Sequence, residues 1–287
     1  MPRNVKSSST FALIALVFVT AIWGGTFVVV QSAVNRMPVM DFLAFRFSLA
    51  TVVMLALRPG SLRGMSREGL KYAVILGTVL GLGYIFQTYG LLYTNAAVAG
   101  FITGMFVVLT PVVAWVLLRR KAGRIIWLAV ALAVLGLALI SLKGWAMGPG
   151  ELLTLACAFF FALHIVGLGE WSPRFDSYAL TVLQLATVAV LSFLAALPGG
   201  LTPPPDSGVW AAIGVTAILA TALAFLVQTW AQTLLPPARA AVVMTMEPVF
   251  AGFFGVLVGG TVLTARIVLG AGCVVLAMLL TEIKPKS

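Results

Sequence analysis

Long apolar runs alternate along this chain with short gaps that hold most of its charges and turn residues. A helix of about 20 mostly apolar residues spans a bilayer. Ten runs reach that class: 11–34, 40–57, 70–92, 96–118, 125–142, 151–168, 178–197, 209–234, 240–258 and 262–281. The gaps carry helix-breaking chemistry in Arg58-Pro59-Gly60, Gly148-Pro149-Gly150, Pro198-Gly199-Gly200, Pro203-Pro204-Pro205 and Pro236-Pro237. None is long enough to hold an extramembrane domain. The first run follows Arg3 and Lys6 as in a secretion signal, but it is too long for a signal's apolar core. Trp23-Gly24-Gly25-Thr26 is also a poor cleavage site, so the run reads as a membrane helix.

Composition agrees. The chain is 61% hydrophobic and 9% charged, with a mean hydropathy of +1.11, whereas a soluble domain carries about a quarter charged residues. The predicted fold class is an all-α membrane protein with ten transmembrane helices. The net charge of +10 does not indicate a nucleic-acid partner, because the basic residues sit in gaps that would meet lipid headgroups. With the N-terminus inside, fourteen Lys and Arg fall on the cytoplasmic side: Arg3, Lys6, Arg58, Arg63, Arg67, Lys71, Arg119, Arg120, Lys121, Arg124, Arg174, Arg239, Lys284 and Lys286. Arg36, Lys143 and Arg266 face the other side. The bias predicts both termini in the cytoplasm of a bacterial inner membrane, which needs an even helix count. Cys157 and Cys273 lie in apolar runs and read as unpaired core thiols.

The chain also repeats itself. Phe86-Gln87-Thr88-Tyr89-Gly90 lines up with Val227-Gln228-Thr229-Trp230-Ala231, and Gly83-Tyr84 with Ala224-Phe225, at an offset of 141 residues. Val134-Leu135-Gly136 meets Val275-Leu276-Ala277 at the same offset, and Thr110-Pro111-Val112 meets Glu247-Pro248-Val249 at 137. Three matches in order predict a duplication, 1–147 and 148–287. Five helices per unit is an odd number, so the second copy is expected upside down. The gap equivalent to the basic stretch 58–71 carries no Lys or Arg, in agreement. Inverted repeats of this kind bind solutes near midplane where the halves meet.

Trp23-Gly24-Gly25-Thr26-Phe27, Arg46-Phe47 and Glu247-Pro248-Val249-Phe250, together with the twofold five-helix repeat, resemble the EamA-type members of the drug/metabolite transporter superfamily. The resemblance covers nearly the whole chain and is nearest to ten-helix amino-acid exporters, including exporters of aromatic amino acids. It implies a central cavity lined by helices one, three, four, six, eight and nine, alternating access, and outward transport. This chain departs from the pattern in helix six, where Phe161 is the early aromatic residue and His164 stands where Thr26 stands in the first half.

The substrate-binding candidates are Trp23, Thr26, Tyr84, Gln87, Thr103, His164, Gln228 and Trp230. His164 is the single histidine. It reads either as a neutral ring bonded to a backbone carbonyl or as a substrate contact. Gln87 and Gln228 serve equally as glue between helices or as a cavity ring with their aromatic neighbours. Glu247 precedes Pro248 and its mate Thr110 precedes Pro111. These prolines and Glu247 are assigned to helix bending or proton coupling, with only Glu247 able to titrate. Asp41 and Arg46, five apart, are assigned to a structural ion pair, with substrate-carboxylate binding by Arg46 the alternative. Gly77 and Gly81, and Gly100 and Gly104, follow the small-xxx-small packing pattern.

A secondary transporter of small organic metabolites is the leading class, with amino acids bearing apolar or aromatic side chains as substrates. An exporter of organic cations or drugs is the alternative, kept by Glu247 and the aromatics. An intramembrane enzyme is disfavoured: no metal-spaced His, Cys and carboxylate cluster is present, and no catalytic site is assigned. No cofactor or metal is expected, and no phosphate-binding loop motif is found. The expected partners are a small-molecule substrate and the lipid bilayer, with the chain a monomer.

Overall fold

A segment in hydrocarbon must satisfy its backbone internally, which leaves helices and closed barrels as spanning structures. The computed structural model describes residues 3–94, 96–141, 148–257 and 264–280, and among these residues there is no strand. The helices are α1 (Arg3–Val34), α2 (Val39–Leu57), α3 (Arg67–Tyr93), α4 (Ala96–Gly104), α5 (Phe106–Leu118), α6 (Arg124–Ser141), α7 (Pro149–Trp171) and α8 (Ser177–Ala196). They continue with α9 (Ser207–Ala217), α10 (Ala224–Ala231), α11 (Pro237–Met244), α12 (Met246–Leu257) and α13 (Ala265–Leu280). A π-helical segment, Ile218–Leu223, joins α9 to α10.

Among the described residues, seven apolar helical stretches are long enough to cross a membrane: Ser9–Val34, Val39–Leu57, Arg67–Tyr93, Val98–Leu118, Pro149–Arg174, Ser177–Gly199 and Ser207–Ala231. Arg124–Leu139 and Val268–Ala277 are shorter apolar helices. Parts of the fifth, ninth and tenth predicted runs lie outside the described residues, as do Lys143, Lys284 and Lys286 and the predicted boundary at 147. The outer surface is apolar, with Leu57, Leu269 and Phe18 each more than half exposed. An aqueous fold does not leave such residues bare on so many helices.

Local chemistry explains the breaks. Ser66, Asp176 and Asp206 cap α3, α8 and α9, accepting from the backbone N–H groups of Gly69, Ala179 and Val209 at 3.0, 2.8 and 2.9 Å. Helix α11 ends at Met244, whose carbonyl Pro248 cannot bond four residues on. Pro111 instead lies inside α5, and the break in that stretch falls earlier, at Met105.

Helix α3 packs on α7 and α8, α2 on α8, α6 on α13, and α1 on α12 and on the rod formed by α9, the π segment and α10. One buried cluster gathers Phe42, Phe47, Leu80, Leu185 and Ile213; a second gathers Leu16, Val107, Ala133, Ile165 and Val243. Trp23 and Phe161 pack against both clusters. The α3–α8 contact is tight at Gly77, where an added Cβ would lie 2.7 Å from the Gln184 carbonyl oxygen and 2.6 Å from Thr187 Cβ. At one end of the bundle Arg36 meets Asp206 at 2.8 Å, and Thr94 donates to Glu151 at 2.5 Å. At the other, Arg58 meets Asp176 at 3.5 Å, and Glu170 meets Arg120 at 3.0 Å and Arg174 at 2.9 Å.

Candidate functional site

A cavity with about 620 Å³ of empty space, its mouth included, opens between the two clusters. Six of the eight predicted substrate contacts line it: Trp23, Thr26, Tyr84, Gln87, His164 and Gln228. Arg46 and Glu247 join them, with Phe27, Phe106, Phe161, Phe225 and Met244 supplying apolar wall.

The aromatic side is one continuous surface. Tyr84 meets Phe47, Phe161 and Phe225 edge-on, with ring centroids 5.0, 5.5 and 5.9 Å apart. Trp23 tilts against Phe225 at 5.5 Å, and its indole N–H donates to the Ala220 carbonyl at 2.8 Å. Ala220 belongs to the π segment, as does Thr221, whose hydroxyl accepts from Arg46 Nε at 2.8 Å. The irregular turn in the α9–α10 rod therefore anchors one site residue from α1 and one from α2, and π segments recur at functional sites for this kind of re-aimed backbone. The Thr26 hydroxyl is used by its own helix, donating to the Trp23 carbonyl at 2.8 Å.

The polar side depends on amides. His164 Nε2 lies 2.7 Å from Gln184 Oε1, and Gln184 Nε2 donates to the Leu180 carbonyl at 3.1 Å. The second bond orients the amide, so the first requires the proton on His164 Nε2, and in the neutral ring Nδ1 is then an acceptor. The histidine's partner is thus a side chain on α8 and not the backbone carbonyl considered from sequence. Gln228 donates to Gln232 Oε1 at 3.0 Å, and Gln232 in turn donates to the Ile165 carbonyl at 2.7 Å. Gln228 Oε1 is buried with no partner among the described residues. Gln87 makes a long 3.4 Å contact to Thr103, which is buried but does not line the cavity. Glu247 accepts no hydrogen bond and makes no ion pair among the described residues.

Three expectations need correction. Asp41 and Arg46 form no ion pair: Asp41 accepts from the Thr202 backbone N–H at 3.0 Å, while Arg46 turns to Thr221. Residues five apart point about 140° from one another around a helix, so the two side chains leave α2 on different faces. Trp230 is not in the cavity wall. It sits two residues, about 200° of rotation, from Gln228 and packs edge-on against Phe11 at 5.7 Å. Thr103, the third, does not line the cavity either, while Pro111 and Pro248 lie within α5 and α12, in keeping with the structural side of their assignment. Gln184, Gln232 and Thr221 were missed. The two glutamines carried a usable signal, since an amide in an apolar run must find partners as Gln87 does. Thr221 carried none, because the π turn that aims it has no sequence signature here.

An aromatic-walled cavity open at one mouth, inside a bundle of lipid-facing helices, is the arrangement of a membrane transporter. The chain belongs to the EamA-like transporter family, whose model matches residues 10–142 and again 148–283, and so to the drug/metabolite transporter superfamily. It is a multi-pass membrane protein. It is 32% identical over 276 residues to an uncharacterized transporter of Archaeoglobus fulgidus, covering 96% of this chain and 86% of that one. It is 28% identical over 298 residues to the threonine/homoserine exporter RhtA of Escherichia coli K12, covering 96% and 93%. A solved crystal structure with 17% identity shares the fold at a TM-score of 0.77 over 96% of both chains.

Proposed function

We propose that the chain crosses the inner membrane ten times, as inverted halves 1–147 and 148–287, and exports small organic metabolites by alternating access. Amino acids with apolar or aromatic side chains are the substrates. The observation that carries this reading is the cavity wall: Trp23, Tyr84, Phe161 and Phe225 form an apolar surface beside His164 and two glutamines. Such a wall takes an apolar side chain on one side and hydrogen-bonding groups on the other, the mix that fixes orientation in small-molecule sites. RhtA's export of threonine and homoserine supports amino acids as the class.

The duplication is supported by packing. Helix α3 against α7 and α8 has its counterpart in the α9–α10 rod against α1 and α2. Helix α1 against α12 is matched by α7 against α4 and α5, while α2 with α8 and α6 with α13 pair across the halves. Arg36 with Asp206 is matched by Arg58 with Asp176, at the opposite end of α2. The family model's two matches divide the chain in the same place. The charge bias supports both termini in the cytoplasm, and the chain works as a monomer.

Glu247, unpaired in the cavity wall, favours a second reading as an organic-cation exporter. Counterflow in proteoliposomes, with amino acids, organic cations and sugars compared side by side, separates the two. Saturable exchange of apolar amino acids is expected; exchange of cations alone overturns the amino-acid reading. Glu247→Gln should keep counterflow, with any loss confined to efflux driven by a pH gradient.

A further inference from the structure

We infer that Arg46 is the seat for a substrate carboxylate, so that the transporter takes solutes bearing a carboxylate and rejects amines that lack one. The proposal rests on the transport reading above and sharpens its substrate class.

Arg46 is 3% exposed, in the wall of the cavity, and its partners are few. Nε donates to the Thr221 hydroxyl, and the guanidinium carbon lies 5.0 Å from the Tyr84 ring centroid and 5.5 Å from that of Phe47. No described carboxylate is within ion-pair reach; Asp41, the one acid on its helix, is engaged elsewhere. A cation inside a bilayer is costly, and membrane proteins keep one where it pairs or lines a pathway. Here the pair is missing and the pathway is present. The guanidinium is a rigid planar fork of five donors, of which Nε serves Thr221 and the Tyr84 hydroxyl takes a further interaction; the donors that remain match a carboxylate in bidentate geometry. The aromatic rings and Thr221 hold its plane, so little side-chain freedom is lost when the anion arrives.

The chemistry discriminates among solutes of one shape. Phenylalanine and 3-phenylpropionate carry the carboxylate; 2-phenylethylamine keeps the ring and the amine without it. Each compound, with leucine as a fourth, is tested in counterflow using the purified unmodified protein in proteoliposomes. The expected result is exchange of the carboxylate-bearing compounds and none of the amine. Exchange of the amine at the rate of phenylalanine overturns the carboxylate seat and leaves the transporter standing. Failure of all four compounds overturns the amino-acid reading and the seat with it. Arg46→Gln should cost about ten- to a hundred-fold in kcat/KM for the amino acid, the range of a lost charge-assisted hydrogen bond. Arg46→Lys keeps the charge without the fork and should recover only part of it. Melting in detergent separates a misfolded variant from an impaired one, and Arg46→Gln with the parent's KM for phenylalanine refutes the proposal.

Discussion

Two glycines four residues apart on α3 look alike in sequence, yet their surroundings predict opposite results. A Cβ at Gly77 would meet Thr187 Cβ at 2.6 Å, the Gln184 carbonyl oxygen at 2.7 Å and Gln184 Cα at 3.0 Å. None of these is the end of a flexible side chain. Carbon atoms rest about 3.5 Å apart at closest comfortable contact, so α8 must retreat by about 0.9 Å or α3 must bend. Overpacking of this kind costs about 1–3 kcal/mol. The displaced backbone is that of Gln184 itself, whose side chain holds His164 at 2.7 Å. Gly77→Ala should therefore lower the melting temperature in detergent by several degrees, since a kcal/mol shifts it by about 2–4 °C in chains slightly shorter than this one. It should also slow counterflow in whatever protein remains folded. At Gly81 the nearest atoms are methyl groups of Leu191 and Val188 at 3.5–3.7 Å, an ordinary contact. Gly81→Ala fills that space and gains helix propensity of up to about 1 kcal/mol. Its melting temperature should equal or exceed the parent's. Equal tolerance of the two substitutions would refute the argument that α8 is held at van der Waals distance by Gly77.

Replacing Gln184 with Leu strips the acceptor from His164 and should lower stability by about 1 kcal/mol, within the range of buried side-chain bonds between membrane helices. His164→Ala should impair counterflow with nearly unchanged melting, and normal transport by that variant removes the histidine from the site. Asp206 caps α9, and the Val209 backbone N–H, with the Arg36 guanidinium beside it, holds its carboxyl below the ordinary value of 3.8. Its contribution is complete above the unfolded value and is lost as pH falls through the lower folded one. The melting-temperature gap between the parent and Asp206→Ala should thus narrow as pH drops below about 4, and a constant gap would sink the capping assignment. Reporter fusions after Lys286 should read cytoplasmic, and fusions within 203–206 periplasmic. A periplasmic C-terminus rules out an even number of crossings.

The membrane class and the apolar helices were legible in sequence, because each is written in local composition, and the family through the resemblance carried by short motifs and the repeat. A run of about 20 apolar residues has one stable solvent, and a proline or aspartate acts on the helix end beside it. Six of the eight candidate residues reached the cavity because intramembrane polar residues turn inward wherever they lie. Side-chain partners were a different matter. Asp41 and Arg46 share a helix, yet each bonds a residue more than 150 positions away. Gln228 lines the cavity while Trp230, two residues on, meets Phe11 on another face. His164 is completed by Gln184 on α8, whose backbone in turn rests against Gly77 on α3. Rotation of each helix about its axis, and the distance at which two helices pack, are set jointly by many side chains on both. Hydropathy along one strand of sequence carries neither quantity, and the tertiary structure alone decided which residues face the cavity and which partner them.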